Sequence, residues 1–172
     1  VIGSTLFFAA LDDAHGWELW TSDGTPAGTS KVKELNPGES DGIFPSDLLA
    51  WRGHVYFPGS DGDHGAELWK SDGTAGGTRM VKDINPGGAN SSSWPAGLEA
   101  FGSRFLFSAN DGVHGPELWK SDGTRAGTVM VKDLTPAGKR RSRIGLIVRL
   151  DDDLAMFPAF GEGSLHRTDG TA

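Results

Sequence analysis

The chain has 172 residues and a mass of 18.2 kDa, the size of one domain, and its 16 Lys and Arg against 23 Asp and Glu give a formal charge of −7. That acidic balance repels phosphate backbones and excludes general nucleic-acid binding, and no apolar run approaches the roughly 18 residues needed for a transmembrane helix. The absence of cysteine excludes disulfides, thiolate-held zinc, iron–sulfur clusters and a thiol nucleophile.

Taken in chain order, short strand-like pieces alternate with turn residues. Leu6-Phe7-Phe8 reads as a first strand, because aromatic and branched residues between glycine-rich segments favour extended backbone. The loop Asp12-Asp13-Ala14-His15-Gly16 leads to a second strand, Glu18-Leu19-Trp20, which ends in Ser22-Asp23-Gly24-Thr25 followed by Gly28-Thr29. Asp bonds its own backbone two residues on and Gly accepts positive φ, so this segment is a hairpin turn. The third strand, Lys31 to Leu35, stops at Asn36-Pro37-Gly38, and after a variable stretch a fourth, Leu48 to Trp51, meets a tight turn at Arg52-Gly53.

The same order then recurs. Val55-Tyr56-Phe57, Glu67-Leu68-Trp69 with Ser71-Asp72-Gly73-Thr74, Met80 to Ile84 and Leu98 to Phe101 form a second set. Phe105-Leu106-Phe107, Glu117-Leu118-Trp119 with Ser121-Asp122-Gly123-Thr124, Met130 to Leu134 and Leu146 to Leu150 form a third. A worn fourth copy holds Ala155-Met156-Phe157 and Ser164-Leu165-His166-Arg167-Thr168-Asp169-Gly170-Thr171. The turn aspartate falls at 23, 72, 122 and 169, at intervals of 49, 50 and 47, and such a steady period marks a repeat protein.

Folding the second and third strands about their turn pairs Leu19 with Val32 and Glu18 with Lys33, and likewise Leu68 with Val81, Glu67 with Lys82, Leu118 with Val131 and Glu117 with Lys132. One apolar and one opposite-charge pair per hairpin are each worth about 0.2–1 kcal/mol. Trp20 lies on the other face from Leu19, so the strand is apolar on both sides and needs a sheet on each. Four antiparallel strands in about 50 residues, apolar on both faces and tandemly repeated, predict an all-β β-propeller. Its blades are residues 1–50, 51–100 and 101–150, with a partial blade at 151–172, about three and a half in all.

The motif Glu-Leu-Trp-x-x-Asp-Gly-Thr, with Gly-Thr and Val-Lys-Asp-Ile behind it, resembles the ELWxxDGT repeat family of bacterial proteins. The resemblance covers nearly the whole chain and implies a propeller fold in a secreted or cell-surface protein. The fourth copy departs from the pattern: Ser164 and His166 replace Glu and Trp. The family supplies no established catalytic residue, and none is carried over. Three and a half blades do not close a ring, so further blades of a longer parent chain, or a homo-oligomer, are expected to complete it. A chain beginning at Val1, without a signal peptide, fits a processed or excised piece.

Four groups of residues are candidates for chemistry. Asp12 with Asp13, and Asp61 with Asp63, offer carboxylate oxygens to calcium, although Val113 replaces the second Asp in the third copy and no bidentate Glu follows. The bland alternative is a local Asx turn. His15, His64 and His114 recur one per blade, either as metal ligands or as side chains packed on a Trp or bonded to a loop carbonyl. The aspartate of the Asp-Gly-Thr turn is either a ligand repeated in each blade or a turn former. Lys139, Arg140, Arg141 and Arg143 form the one basic cluster, in a loop that differs between copies, and suit an anionic polysaccharide or a partner protein. No nucleophile elbow, zinc-protease helix, P-loop or dinucleotide fingerprint is present.

The sequence therefore leads to a non-enzymatic extracellular scaffold for binding or adhesion, with a protein or glycan ligand and no cofactor other than calcium in view. A calcium-dependent lectin-like sugar binder is the alternative, and a propeller-based hydrolase or lyase fragment is a second.

Overall fold

A computed structural model of the chain describes residues 1–37, 41–44, 47–134, 143–151, 153–160 and 164–171. Among these residues there is no helix, and the strands form four antiparallel sheets of three or four strands each. The first sheet holds β1 (Leu6–Asp12), β2 (Gly16–Ser22) and β3 (Ser30–Lys33) in that order. The second holds β4 (Leu49–Trp51), β5 (His54–Gly59), β6 (Glu67–Ser71) and β7 (Arg79–Lys82), and the third β8 (Ala96–Phe101), β9 (Arg104–Asn110), β10 (Pro116–Ser121) and β11 (Val129–Lys132). In the fourth, β14 (Ala155–Phe160) pairs on one side with β12 (Arg143–Ile144) and β13 (Val148–Arg149) and on the other with β15 (Ser164–Thr168).

The sheets are offset from the blade limits drawn on the sequence. The strand that ends one 50-residue unit belongs to the next sheet: β4 begins at Leu49 and pairs with β5, and β8 begins at Ala96 and pairs with β9. The two-residue turn explains this. Arg52 and Gly53 have φ of 48° and 76°, the paired left-handed conformation whose twist closes a tight hairpin, so Trp51 and His54 face each other.

The hairpin between second and third strands keeps its expected register only near the turn. Trp69 lies opposite Met80 and Lys70 opposite Arg79, but a bulge then sets Leu68 opposite Lys82, and the same shift occurs at Leu19 and Leu118. The expected Leu–Val and Glu–Lys pairs are therefore not cross-strand partners. The extra residue of each bulge lies in the third strand, and Glu18, Glu67 and Glu117 of the second strand are fully buried.

The turns themselves are stitched by side chains. In the second sheet Thr74 donates to the Asp72 carboxylate through its N–H at 2.9 Å and its hydroxyl at 2.7 Å. Gly77 N–H donates to Thr74 Oγ1 at 3.0 Å, and the Ser71 and Thr78 hydroxyls meet at 2.7 Å across the base of the turn. The same set recurs around Asp23 and around Asp122.

Each sheet packs a leucine face on the tryptophan face of its successor. Leu19 and Leu35 meet Phe57 and Trp69, then Leu68 and Ile84 meet Phe107 and Trp119. Leu118 and Val131 meet Phe157, on which His166 stacks at 5.5 Å in the place of the missing Trp. Two rows of lysines lie across these junctions. Lys70 Nζ donates to Gly123 O at 2.7 Å and Lys120 Nζ to Gly170 O at 2.8 Å, each reaching the turn of the next sheet. Lys82 Nζ donates to Thr128 O at 2.7 Å, and Lys33 Nζ lies 3.4 Å from Thr78 O.

A Cβ added at Gly77 lands on the Asp72 carboxylate. Gly77→Ala must push that carboxylate away from Thr74, and we expect a loss of about 1–3 kcal/mol in urea unfolding, with the far-UV spectrum unchanged.

Candidate functional site

The motif residues come first, because their contacts decide what is left for binding. Glu67 accepts from Ile84 N–H at 2.8 Å, from Ser93 N–H at 3.1 Å and from the Ser93 hydroxyl at 2.7 Å. It ties the end of the third strand and the following loop to the second strand. Glu117 accepts from Leu134 N–H at 3.0 Å. Glu18 receives Leu35 N–H, at 3.3 Å from each of its oxygens. Burial pushes the Glu67 carboxyl above its ordinary range. Burial, offset only in part by the Leu35 and Asn36 N–H groups and the Lys31 charge, pushes Glu18 up to about 7.

The loops proposed for calcium are occupied from within. Asp12, Asp61 and Asp111 accept from the Nδ1 of His15, His64 and His114 at 2.6, 2.8 and 2.7 Å. The Asp61 Oδ1 also takes the N–H groups of Asp63 and His64, each at 3.0 Å. Partial burial acts to raise the Asp61 carboxyl, but the His64 bond and these N–H groups outweigh it and hold the group low, while the Asp61 bond raises His64. Hydrogen-bond donors converge where a cation needs free oxygens. Asp13 and Asp63 are exposed at the loop tips, and among the described residues no group of three or more His, Asp or Glu gathers in metal-binding geometry. Each of the three histidines is thus hydrogen-bonded to the aspartate three residues before it. The turn aspartates Asp23, Asp72, Asp122 and Asp169 are likewise taken up by their own Thr.

Lys139, Arg140 and Arg141 lie outside the described residues. Arg143 opens β12, paired with Phe160.

A feature not singled out from the sequence lies in the loop between third and fourth strands. Trp94 is 56% exposed, sits at φ 48°, and packs edge-on against Phe44 with ring centroids 4.9 Å apart. The backbone forces this display. Ser93 is drawn in by Glu67, Trp94 N–H donates to Ala66 O at 3.2 Å, and buried Pro95 follows, so the ring between them projects outward. Asp47, close in sequence to Phe44, accepts from Gly97 N–H at 3.1 Å and joins the two loops. A non-glycine residue in the left-handed region costs on the order of 1 kcal/mol, and such strain concentrates at binding sites. The sequence signal was present: Phe44-Pro45 and Trp94-Pro95 occupy the same place in successive copies.

Glu18, Glu67, His64 and His114, all raised, make stability depend on pH in one direction. A folded-state pKa raised to about 7 means that the contribution of Glu18 is fully present below its ordinary 4.5 and is lost as pH rises through about 7. We expect the protein to melt higher at pH 5 than at pH 8. Glu18→Gln should remove on the order of 2 kcal/mol of that difference, read by calorimetry at the two values. Because the Asp–His pairs already fill the loop carboxylates, neither millimolar calcium nor EDTA should shift the melting temperature at neutral pH.

No family model matches this chain, and no curated protein matches it either, so its reading rests on the residues themselves.

Proposed function

We propose that the chain is a non-enzymatic binding module, part of an extracellular β-propeller of the ELWxxDGT type, whose third-to-fourth-strand loops take a protein or glycan ligand. The observation that carries this reading is the division of labour between motif and loops. The repeated Glu, Asp, His and Lys are spent on backbone groups and on each other, a role that explains their recurrence without catalysis. The loops differ between copies, and one of them presents Trp94 beside Phe44. Exposed aromatic rings suit the apolar faces of sugars and the side chains of a protein partner. The propeller reading is supported by the three like junctions between consecutive sheets. Further blades, from a longer parent chain or from additional copies, would close the ring. A location outside the cell is what the resemblance implies.

Trp94→Gly separates binding from folding. Relief of the left-handed backbone offsets the lost contact with Phe44, each about 1 kcal/mol, so the melting temperature should move little. Retention on a glycan array and on immobilised candidate proteins should fall at least tenfold for every ligand that the unsubstituted chain holds. Equal retention by both chains would remove this loop from the binding surface.

A further inference from the structure

The rim of the junction between the second and third sheets carries five cations. Lys70 of β6 stands directly opposite Arg79 of β7, a like-charge cross-strand pair. Lys70 Nζ donates to Gly123 O in the next sheet at 2.7 Å, and Arg125 follows two residues beyond that carbonyl. Lys82 reaches Thr128 O at the base of the same turn. Arg52 lies over the Trp51 ring, its guanidinium carbon 4.6 Å from the centroid, and its charge acts on Tyr56. Tyr56 is the cross-strand partner of Lys70, and its hydroxyl lies where a Cβ on Gly123 would fall. The five side chains thus gather around one turn from four segments of the chain.

The packing of the sheets does not call for this concentration of charge. At the junction of the first and second sheets the same five positions hold Gly3, Thr21, Ser30, Lys33 and Ala75, with a single cation among them. Arg52 has φ 48° at a turn position that Gly3 and Gly102 fill at 60° and 55°, and a side chain there is strained where glycine is not. Burial and then the Arg79 charge hold the Lys70 ammonium below its ordinary range, and burial followed by Arg125 does the same to Lys82. Carboxylates do not answer the charge: among the described residues no ion pair includes any of the five. Asp122, which acts on Lys70 from the turn, is itself bound by the N–H and the hydroxyl of Thr124. Arg52, Arg79 and Arg125 are exposed to solvent.

We propose that this rim binds an anionic polysaccharide, whose carboxylate or sulfate groups are received by Arg52, Arg79 and Arg125. A guanidinium fork matches the oxygens of either group, while Lys70 and Lys82, held on backbone carbonyls, supply a fixed positive field beneath them. The three arginines stand on separate segments, so they suit charges spaced along a polymer in preference to one compact anion. A nucleic acid packs its phosphates far more densely and meets the repulsion of a chain with a net charge of −7. The rim is a second surface, distinct from the Trp94 loop. That loop is tied to Ala66 ahead of β6, whereas Lys70 lies near the other end of the same strand.

The probes are a heparin hexasaccharide and an oligogalacturonate of the same length, titrated into the full chain by calorimetry at low salt. Saturable binding of at least one is expected, and the tighter of the two tells whether sulfate or carboxylate is the group received. A chain carrying Arg52→Gly, Arg79→Ser and Arg125→Ala, the residues of the first junction, should bind at least tenfold more weakly with its melting temperature unchanged or raised. Arg125→Glu alone should weaken binding several-fold. High salt screens the rim, so that retention there reports on the Trp94 loop, and at low salt Trp94→Gly should bind these probes as the unsubstituted chain does. Binding of neither probe, undiminished binding by the arginine variants, a matching loss in Trp94→Gly, or equal affinity for a polyglutamate peptide of the same charge would each overturn the assignment.

Discussion

A carboxylate with no access to water has to be repaid by donors, and in this chain that requirement organises the loops. Glu67 collects two backbone N–H groups and a hydroxyl from segments 17 and 26 residues further on. No local turn preference could hold the chain there, because loop residues far apart in sequence have only entropy to lose by meeting. By fixing where the third strand ends and where the loop returns, the glutamate sets the starting point of the next sheet. The bulge opposite Leu68 and Trp69, whose extra residue is Val81 of the third strand, shifts Lys82 out of the register that would pair it with Glu67. Glu18, whose Leu35 donor lies at 3.3 Å from both oxygens, is raised by burial to about 7.

The strands were legible in the sequence for plain reasons. Aromatic and branched runs such as Val55-Tyr56-Phe57 fall within strands, and the Asp-Gly-Thr segments are the side-chain-stitched turns their residue types demand. The two-sided burial of Leu-Trp was also readable, because period-two alternation with large apolar groups on both faces has few other solutions. What could not be read was the consequence of one inserted residue. Pairing about the turn assigns Lys82 to Glu67, whereas the bulge sends the lysine to Thr128 of the next sheet and the glutamate to backbone N–H groups. Opposite charges at matching distances from a turn suggest a pair, but the buried member has better use for neutral donors.

The candidate site was less legible, and the reason differs by residue. Asp61 and His64 look like metal ligands as types, but only three-dimensional proximity reveals that they satisfy each other. Trp94 reads as one more core aromatic among six tryptophans, and its exposure depends on Ser93 being held by Glu67. Residues consumed by structure advertise themselves through repetition, while a residue displayed for binding need occur once. Repetition is therefore a guide to scaffold, and departure from it a guide to surface.

The two faces of each sheet are not alike, and this gives the stack a polarity. At one extreme the first sheet turns Leu6, Phe8 and Trp20 outward, and at the other the fourth turns Val148, Met156 and Leu165 outward. These are the two halves of the junction found three times inside the molecule. A contact that reproduces it must join unlike faces, whether the adjoining sheet comes from the same chain or from another. A two-fold pairing through either end sets like on like, and forgoes the leucine-on-tryptophan fit.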